Sequence, residues 1–162
     1  MSKYAFLVPT LDEAKTDVAV ENLQKALDIL NDLALTLKHA HWNVTGQNFI
    51  AVHELLDPEI DSVRDAVDEI AERIAALGGA PNGLSTQTQK SASQLLPEYP
   101  LKGRANTIEH LKAVDAQYTA VNEILRTAIE KLDDADLVSS NILQDALGNL
   151  EAFQWKVRSH LV

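Results

Sequence analysis

The 162-residue chain contains no cysteine. Disulfides, thiolate metal centres and thiol nucleophiles are thereby excluded, and any metal must be held by His, Asp, Glu or water. Glycine and proline are sparse, at 6 and 5 residues, which removes the collagen-like and low-complexity classes. Aromatics make up 5% against 46% hydrophobic residues overall, so aliphatic side chains must build the core. No apolar run approaches the ~20 residues of a membrane-spanning helix. The opening stretch, Met1-Ser-Lys-Tyr-Ala-Phe-Leu-Val-Pro9, is too short in apolar residues for a secretory signal, which leads to the expectation of a cytoplasmic protein with no membrane partner. Basic residues are outnumbered, 14 Lys and Arg against 24 Asp and Glu, for a net charge of −10. Such a surface is poorly suited to tracking phosphates and well suited to attracting cations.

What is present is helical periodicity in one domain over 1–162, behind a short N-terminal tail over 1–10. Thr10-Leu-Asp-Glu13 has the capping-box pattern, and Leu23, Leu27, Leu30, Ala34 and Leu37 then repeat in steps of four and three, predicting a helix over 11–44. A second stripe, Ala26, Ile29, Leu33 and Ala40, lies beside the first, so this helix is expected to bury two faces: a wide core stripe, or a core face plus a face for another subunit. After Gly46 a strict alternation from Leu56 to Leu77 predicts a helix over 49–77, with Pro58 kinking it early. Polar, turn-rich sequence from Gly78 to Arg104 leaves room for one short helix. Leu111 to Leu132 and Leu143 to Val157 mark two further long helices, separated only by Asp133-Asp-Ala-Asp136. Two tight hairpins joined by one long crossover give an all-α fold, a ferritin-like four-helix bundle with a short extra helix in the crossover.

At about 100° per residue, His53, Asp57, Asp68 and Glu72 share one stripe of the second helix, with Arg64 among them. The stripe is offset by one residue from the apolar one, so these carboxylates flank the core. Asp57 and Asp68 are roughly 16 Å apart along the axis, too far for one ion at metal–oxygen distances near 2 Å. Two copies of the helix crossing antiparallel near Val63 would bring the His53/Asp57 end of one against the Asp68/Glu72 end of the other. His41, at the end of the first helix, would join the first half. Mixed imidazole and carboxylate shells suit iron or manganese better than calcium or magnesium, with zinc still open and iron the first choice. The same spacings also occur in solvated helix faces and intrahelical salt bridges, and the residues alone leave both readings open.

The run His41-Trp-Asn-Val-Thr-Gly-Gln-Asn-Phe-Ile-Ala-Val-His53-Glu-Leu-Leu-Asp57, then Asp68-Glu-Ile-Ala-Glu72-Arg73 and Leu77-Gly-Gly79, resembles the signature of the Dps mini-ferritins, DNA-binding proteins from starved cells. Tyr99-Pro100-Leu101 and Phe153-Gln-Trp155 extend the resemblance over nearly the whole chain. It implies a hollow homo-dodecamer with ferroxidase centres at its two-fold interfaces, where ferrous iron is oxidised, preferentially by hydrogen peroxide, and stored as ferric mineral. By position, His41, His53 and Asp57 match the metal ligands of one subunit and Asp68 and Glu72 those of its partner. Trp42 matches the aromatic beside the centre, an electron donor if it is not simply core packing. Arg64 is expected to pair across the dimer. The resemblance also implies acidic iron-entry pores at the three-fold axes near the last joint, where Glu130, Asp133, Asp134 and Asp136 lie; the alternative is an ordinary turn with Asp capping the last helix.

The chain departs from the family's name at its ends. Only Lys3 precedes Lys15, and Arg158-Ser-His-Leu-Val162 adds no lysine-rich tail, so direct DNA binding is not expected. DNA compaction therefore stands as an alternative needing a basic surface that the sequence lacks. A metal-dependent amide hydrolase is the other alternative, since a bound metal can activate water and polarise a carbonyl. His39 is either a weak peripheral metal site or a surface histidine, and His110 and His160 show no partner in the sequence.

Overall fold

A computed structural model describes residues 3–162; residues 1 and 2 of the expected tail lie outside the described part. Five helices and one pair of two-residue strands are present among the described residues. The first helix, α1, runs Glu13–Asn43, and its N-cap is Asp12, whose carboxylate accepts from Lys15 N at 2.8 Å. The helix thus starts two residues later than the Thr10 capping box predicts, because Asp12 supplies the acceptor itself. Leu23, Leu27, Leu30 and Leu37 are buried, and so are Ala26, Ile29, Leu33 and Ala40. The second stripe therefore does not await another subunit. It is core, because α1 is packed by α2 on one side and by α3 and α4 on the others.

Strand β1 (Val44–Thr45) follows α1 directly and pairs in parallel with β2 (Ala105–Asn106), Val44 opposite Ala105 and Thr45 opposite Asn106. This clasp has no signal in the sequence beyond a β-branched dipeptide. It ties the first joint to the end of the crossover, helped by Thr107 Oγ1 donating to the carbonyl of Gln47 at 2.9 Å. The turn between β1 and α2 places Gly46 at φ 94°, a left-handed conformation that glycine adopts without strain.

Helix α2 spans Phe49–Ala76 and runs through Pro58 without a break. Pro58 is on the exposed face, so the carbonyl of Glu54 that loses its donor faces water. Helix α3, Ser85–Leu95, is the short crossover helix, and it packs on α1. Helix α4, Thr107–Ala135, opens with a full capping box between Asn106 and Glu109. Helix α5, Leu137–Ser159, follows after the single residue Asp136, so Asp133 and Asp134 belong to α4 and are not a linker. Asp136 is buried, accepts from Ser139 N and Oγ as the N-cap of α5, and pairs with Arg73 Nη2 at 2.6 Å, locking α2 to the α4–α5 joint.

Candidate metal centre at the α1–α2 joint

The short joint folds the end of α1 against the start of α2 and sets two imidazoles face to face. The rings of His41 and His53 stack with centroids 3.7 Å apart and 22° between planes. Their Nδ1 atoms are crossed: His41 Nδ1 lies 2.9 Å from the carbonyl of His53, and His53 Nδ1 lies 2.9 Å from the carbonyl of His41. A carbonyl can only accept, so each Nδ1 carries the proton and each Nε2 keeps its lone pair. Phe49, in the first turn of α2, holds the outer face of His53 at a centroid distance of 5.1 Å.

Asp57, one turn beyond His53, has its Oδ1 3.4 Å from His41 Nδ1 and 2.7 Å from Lys38 Nζ. The hydrogen bond from the Lys38 ammonium holds this carboxyl below the usual carboxylate range, against a smaller opposing effect of burial. Lys38 is the residue that motif reasoning missed. It precedes His41 by three positions, one turn along α1, and that spacing was the available signal. His41 is buried, whereas His53 and Asp57 are half-exposed, so the cluster opens outward.

Asp68 and Glu72 lie further along α2, both exposed, and the chain does not fold them back onto the histidines. Among the described residues no group of three or more His, Asp and Glu side chains closes around one metal position. The chain carries a histidine half and an acid half on one helix face. Arg64, between them, is exposed. Trp42 is not core: it is 70% exposed, beside Lys38 and Leu35 on one face of α1.

At the α4–α5 joint the four acids part company. Glu130, Asp133 and Asp134 are exposed, Asp133 also accepting from Ser140 Oγ, whereas Asp136 is buried as the cap of α5 and paired with Arg73. Although burial by itself raises the Asp136 carboxyl, the bonds from Arg73 and Ser139 bring it below the ordinary range. His39 is no peripheral metal site: its Nε2 lies 2.9 Å from the carbonyl of Leu101, and its ring meets Tyr99 edge-on. His110, without a visible partner in the sequence, is fully buried with Nδ1 2.8 Å from the Tyr99 hydroxyl, and burial lowers its pKa.

A family profile for the ferritin-like domain matches residues 20–162. The DNA protection during starvation protein of Mycolicibacterium smegmatis is 46% identical over 157 residues, covering 97% of this chain and 84% of that protein. The chain belongs to the Dps branch of the ferritin-like proteins. A crystal form of Mycobacterium smegmatis Dps superposes on this Dps-family chain with a TM-score of 0.92 at 46% identity, covering 97% of this chain and 94% of that one. A third relative of similar likeness, 49% identical over 95% of this chain and 80% of its own length, is the fine tangled pili major subunit of Haemophilus ducreyi. No helix among the described residues is long and apolar enough to cross a membrane.

Proposed function

We propose that this Dps-family protein is a ferroxidase and iron store that oxidises ferrous iron with hydrogen peroxide at sites shared between two subunits of a dodecamer. The observation that carries this reading is the crossed pair of histidines, whose Nδ1 atoms are spent on backbone carbonyls so that two Nε2 lone pairs remain for a metal. Asp57, one turn beyond His53 and now paired with Lys38, adds a carboxylate to this half, and the Asp68/Glu72 half of a second copy completes the shell. Exposed Leu35, Trp42 and Ile50 surround the joint with apolar surface that fits burial between copies.

Iron is the substrate here. Two ferrous ions give one electron each to peroxide, whose O–O bond breaks, and two water molecules complete two FeOOH units with release of four protons. Carboxylates favour the ferric product by their charge, while the neutral imidazoles retain the ferrous substrate. Because peroxide takes both electrons, no hydroxyl radical is released, and DNA is protected without being touched. Exposed Glu130, Asp133 and Asp134 are the candidates for drawing iron inward at the α4–α5 joint, beside exposed Leu137 and Val138. Trp42, exposed at the end of α1, is the candidate electron donor.

Anaerobic ferrous titration followed by peroxide tests the reading: two irons consumed per peroxide, retained in a shell-sized species, is the expected result. His53→Ala and Asp68→Ala each abolish fast oxidation. Equal mixing restores about a quarter of the sites, because half of random pairs are mixed and each mixed pair has one of its two sites intact. No recovery under verified mixing refutes the shared site.

A further inference from the structure

Tyr99 and His110 are bonded to each other inside the bundle, and neither belongs to the metal centre. Tyr99, half-buried in the crossover, has its hydroxyl 2.8 Å from Nδ1 of fully buried His110 in α4, with the two ring planes 22° apart. A phenol is the better donor and a neutral imidazole nitrogen the better acceptor, so the proton sits on Tyr99 and points at the Nδ1 lone pair. Burial lowers the pKa of His110, which makes the ring a neutral base near neutral pH. Its Nε2 makes no hydrogen bond of good geometry, yet the backbone at Asn43 and Gly103 is close enough to favour a ring that has gained a proton. Burial also raises the Tyr99 hydroxyl, which therefore keeps its proton until something takes an electron.

The pair is fastened to the turn of α1 that presents His41. The Tyr99 ring meets the ring of His39 edge-on at a centroid distance of 5.8 Å, and His39, two residues before His41, accepts at its carbonyl from Asn43 Nδ2 at 2.8 Å. Tyr4, by contrast, bonds Asp17, roughly 36 Å along α1 from His41. A phenol gives up an electron easily only when its proton leaves with it, because the cation radical is a strong acid. A base already in hydrogen-bond contact accepts that proton without help from water.

We propose that Tyr99 and His110 are an internal redox pair, Tyr99 giving an electron and His110 Nδ1 receiving its proton when hydrogen peroxide meets a centre that holds a single ferrous ion. The source of the oxidant rests on the ferroxidase reading, whereas the pair itself rests on the contacts of Tyr99. Iron supplies one electron and Tyr99 the other; the O–O bond breaks into two hydroxide ions, iron becomes ferric, and a neutral phenoxyl is left beside an imidazolium. A later ferrous ion returns the electron and His110 returns the proton. The radical rests on a half-buried ring, whereas one on Trp42 would face solvent.

Two arms on the full-length, assembled protein test this. In the first, protein given fewer ferrous ions than centres receives peroxide and is freeze-quenched for electron paramagnetic resonance. In the second, metal-free protein is oxidised by photogenerated tris(bipyridine)ruthenium(III) and followed by flash absorption. The expected result in both is a neutral phenoxyl that is lost in Tyr99→Phe and kept in Tyr118→Phe, the tyrosine bonded to Glu59. In the second arm its formation is slowed about twofold or more in deuterium oxide, since a proton moves with the electron, and its yield falls in His110→Gln. Tyr99→Phe keeps the ring, and the isotope effect is read on the wild type, so neither readout depends on His110→Gln folding. A phenoxyl that persists in Tyr99→Phe, or that is indifferent to deuterium, overturns the pair. A silent first arm with iron shown bound by anaerobic titration overturns the link to the centre and the proposal with it. If no iron binds, the ferroxidase reading fails on its own and the second arm decides: a phenoxyl on Tyr99 sustains the pair, and its absence overturns it.

Discussion

Replacing Glu59 by glutamine should remove a pH-dependent weakness from the bundle core. Glu59 is fully buried on α2; its Oε2 accepts from the Tyr118 hydroxyl of α4 at 2.7 Å, and its Oε1 has no partner. Burial pushes the carboxyl from 4.5 up to about 7, with the Tyr118 bond and Lys156 opposing more weakly. Between those two values the native chain holds a proton that the unfolded chain has released, so stability falls as pH rises through the window. The separation, at 1.36 kcal/mol per pKa unit, amounts to about 3 kcal/mol once pH exceeds both values. Glutamine keeps the shape and the acceptor for Tyr118 but cannot ionise. Any cost of its new amide N–H, about 1–2 kcal/mol if unpaired, is the same at every pH. Denaturant unfolding of wild type and Glu59→Gln at fixed subunit concentration, from about pH 4 to 8, reads the difference. The gap between the curves should move by about 3 kcal/mol in favour of the variant as pH rises. Parallel curves would refute the reasoning, because they would mean that Glu59 ionises in the core as easily as in water.

Lys38→Met should tighten ferrous binding about threefold, since iron would no longer displace the ammonium from Asp57; anaerobic titration checks this, and weaker binding would make Lys38 a support of the site. Asp136→Ala should cost about 3 kcal/mol in denaturant unfolding, as it removes the α5 cap and leaves Arg73 unpaired. Gly78→Ala should destabilise by about 2 kcal/mol or more, because Gly78 has φ 82° and an added Cβ would stand 2.1 Å from the Phe6 carbonyl oxygen. Hydrogen exchange at the Ala5 amide, which donates to Gly78 O at 3.0 Å, should accelerate in the same variant.

Local patterns of residues were enough to place the elements. Apolar steps of four and three placed the four long helices, since a helix survives only where one stripe can leave water, and the turn-rich crossover left room for α3. The His41, His53, Asp57, Asp68 and Glu72 candidates were legible for the same reason: residues one turn apart share a face, and the rise per residue showed that the two ends of α2 cannot meet within one chain. Whatever depends on the residue lying opposite emerged with the packed bundle. Ala26 and Ile29 are buried within the chain, where α1 packs against α2, α3 and α4, and a period cannot say what covers a face. Asp136 was one acid among four until Arg73, 63 positions away, claimed it. The β1–β2 clasp and the Tyr99–His110 and Tyr118–Glu59 pairs arise from contacts that no local pattern marks. The crossing of the two histidines is the sharpest instance, because their spacing allowed two metal ligands but only the joint's geometry assigned a backbone carbonyl to each Nδ1 and left each Nε2 free.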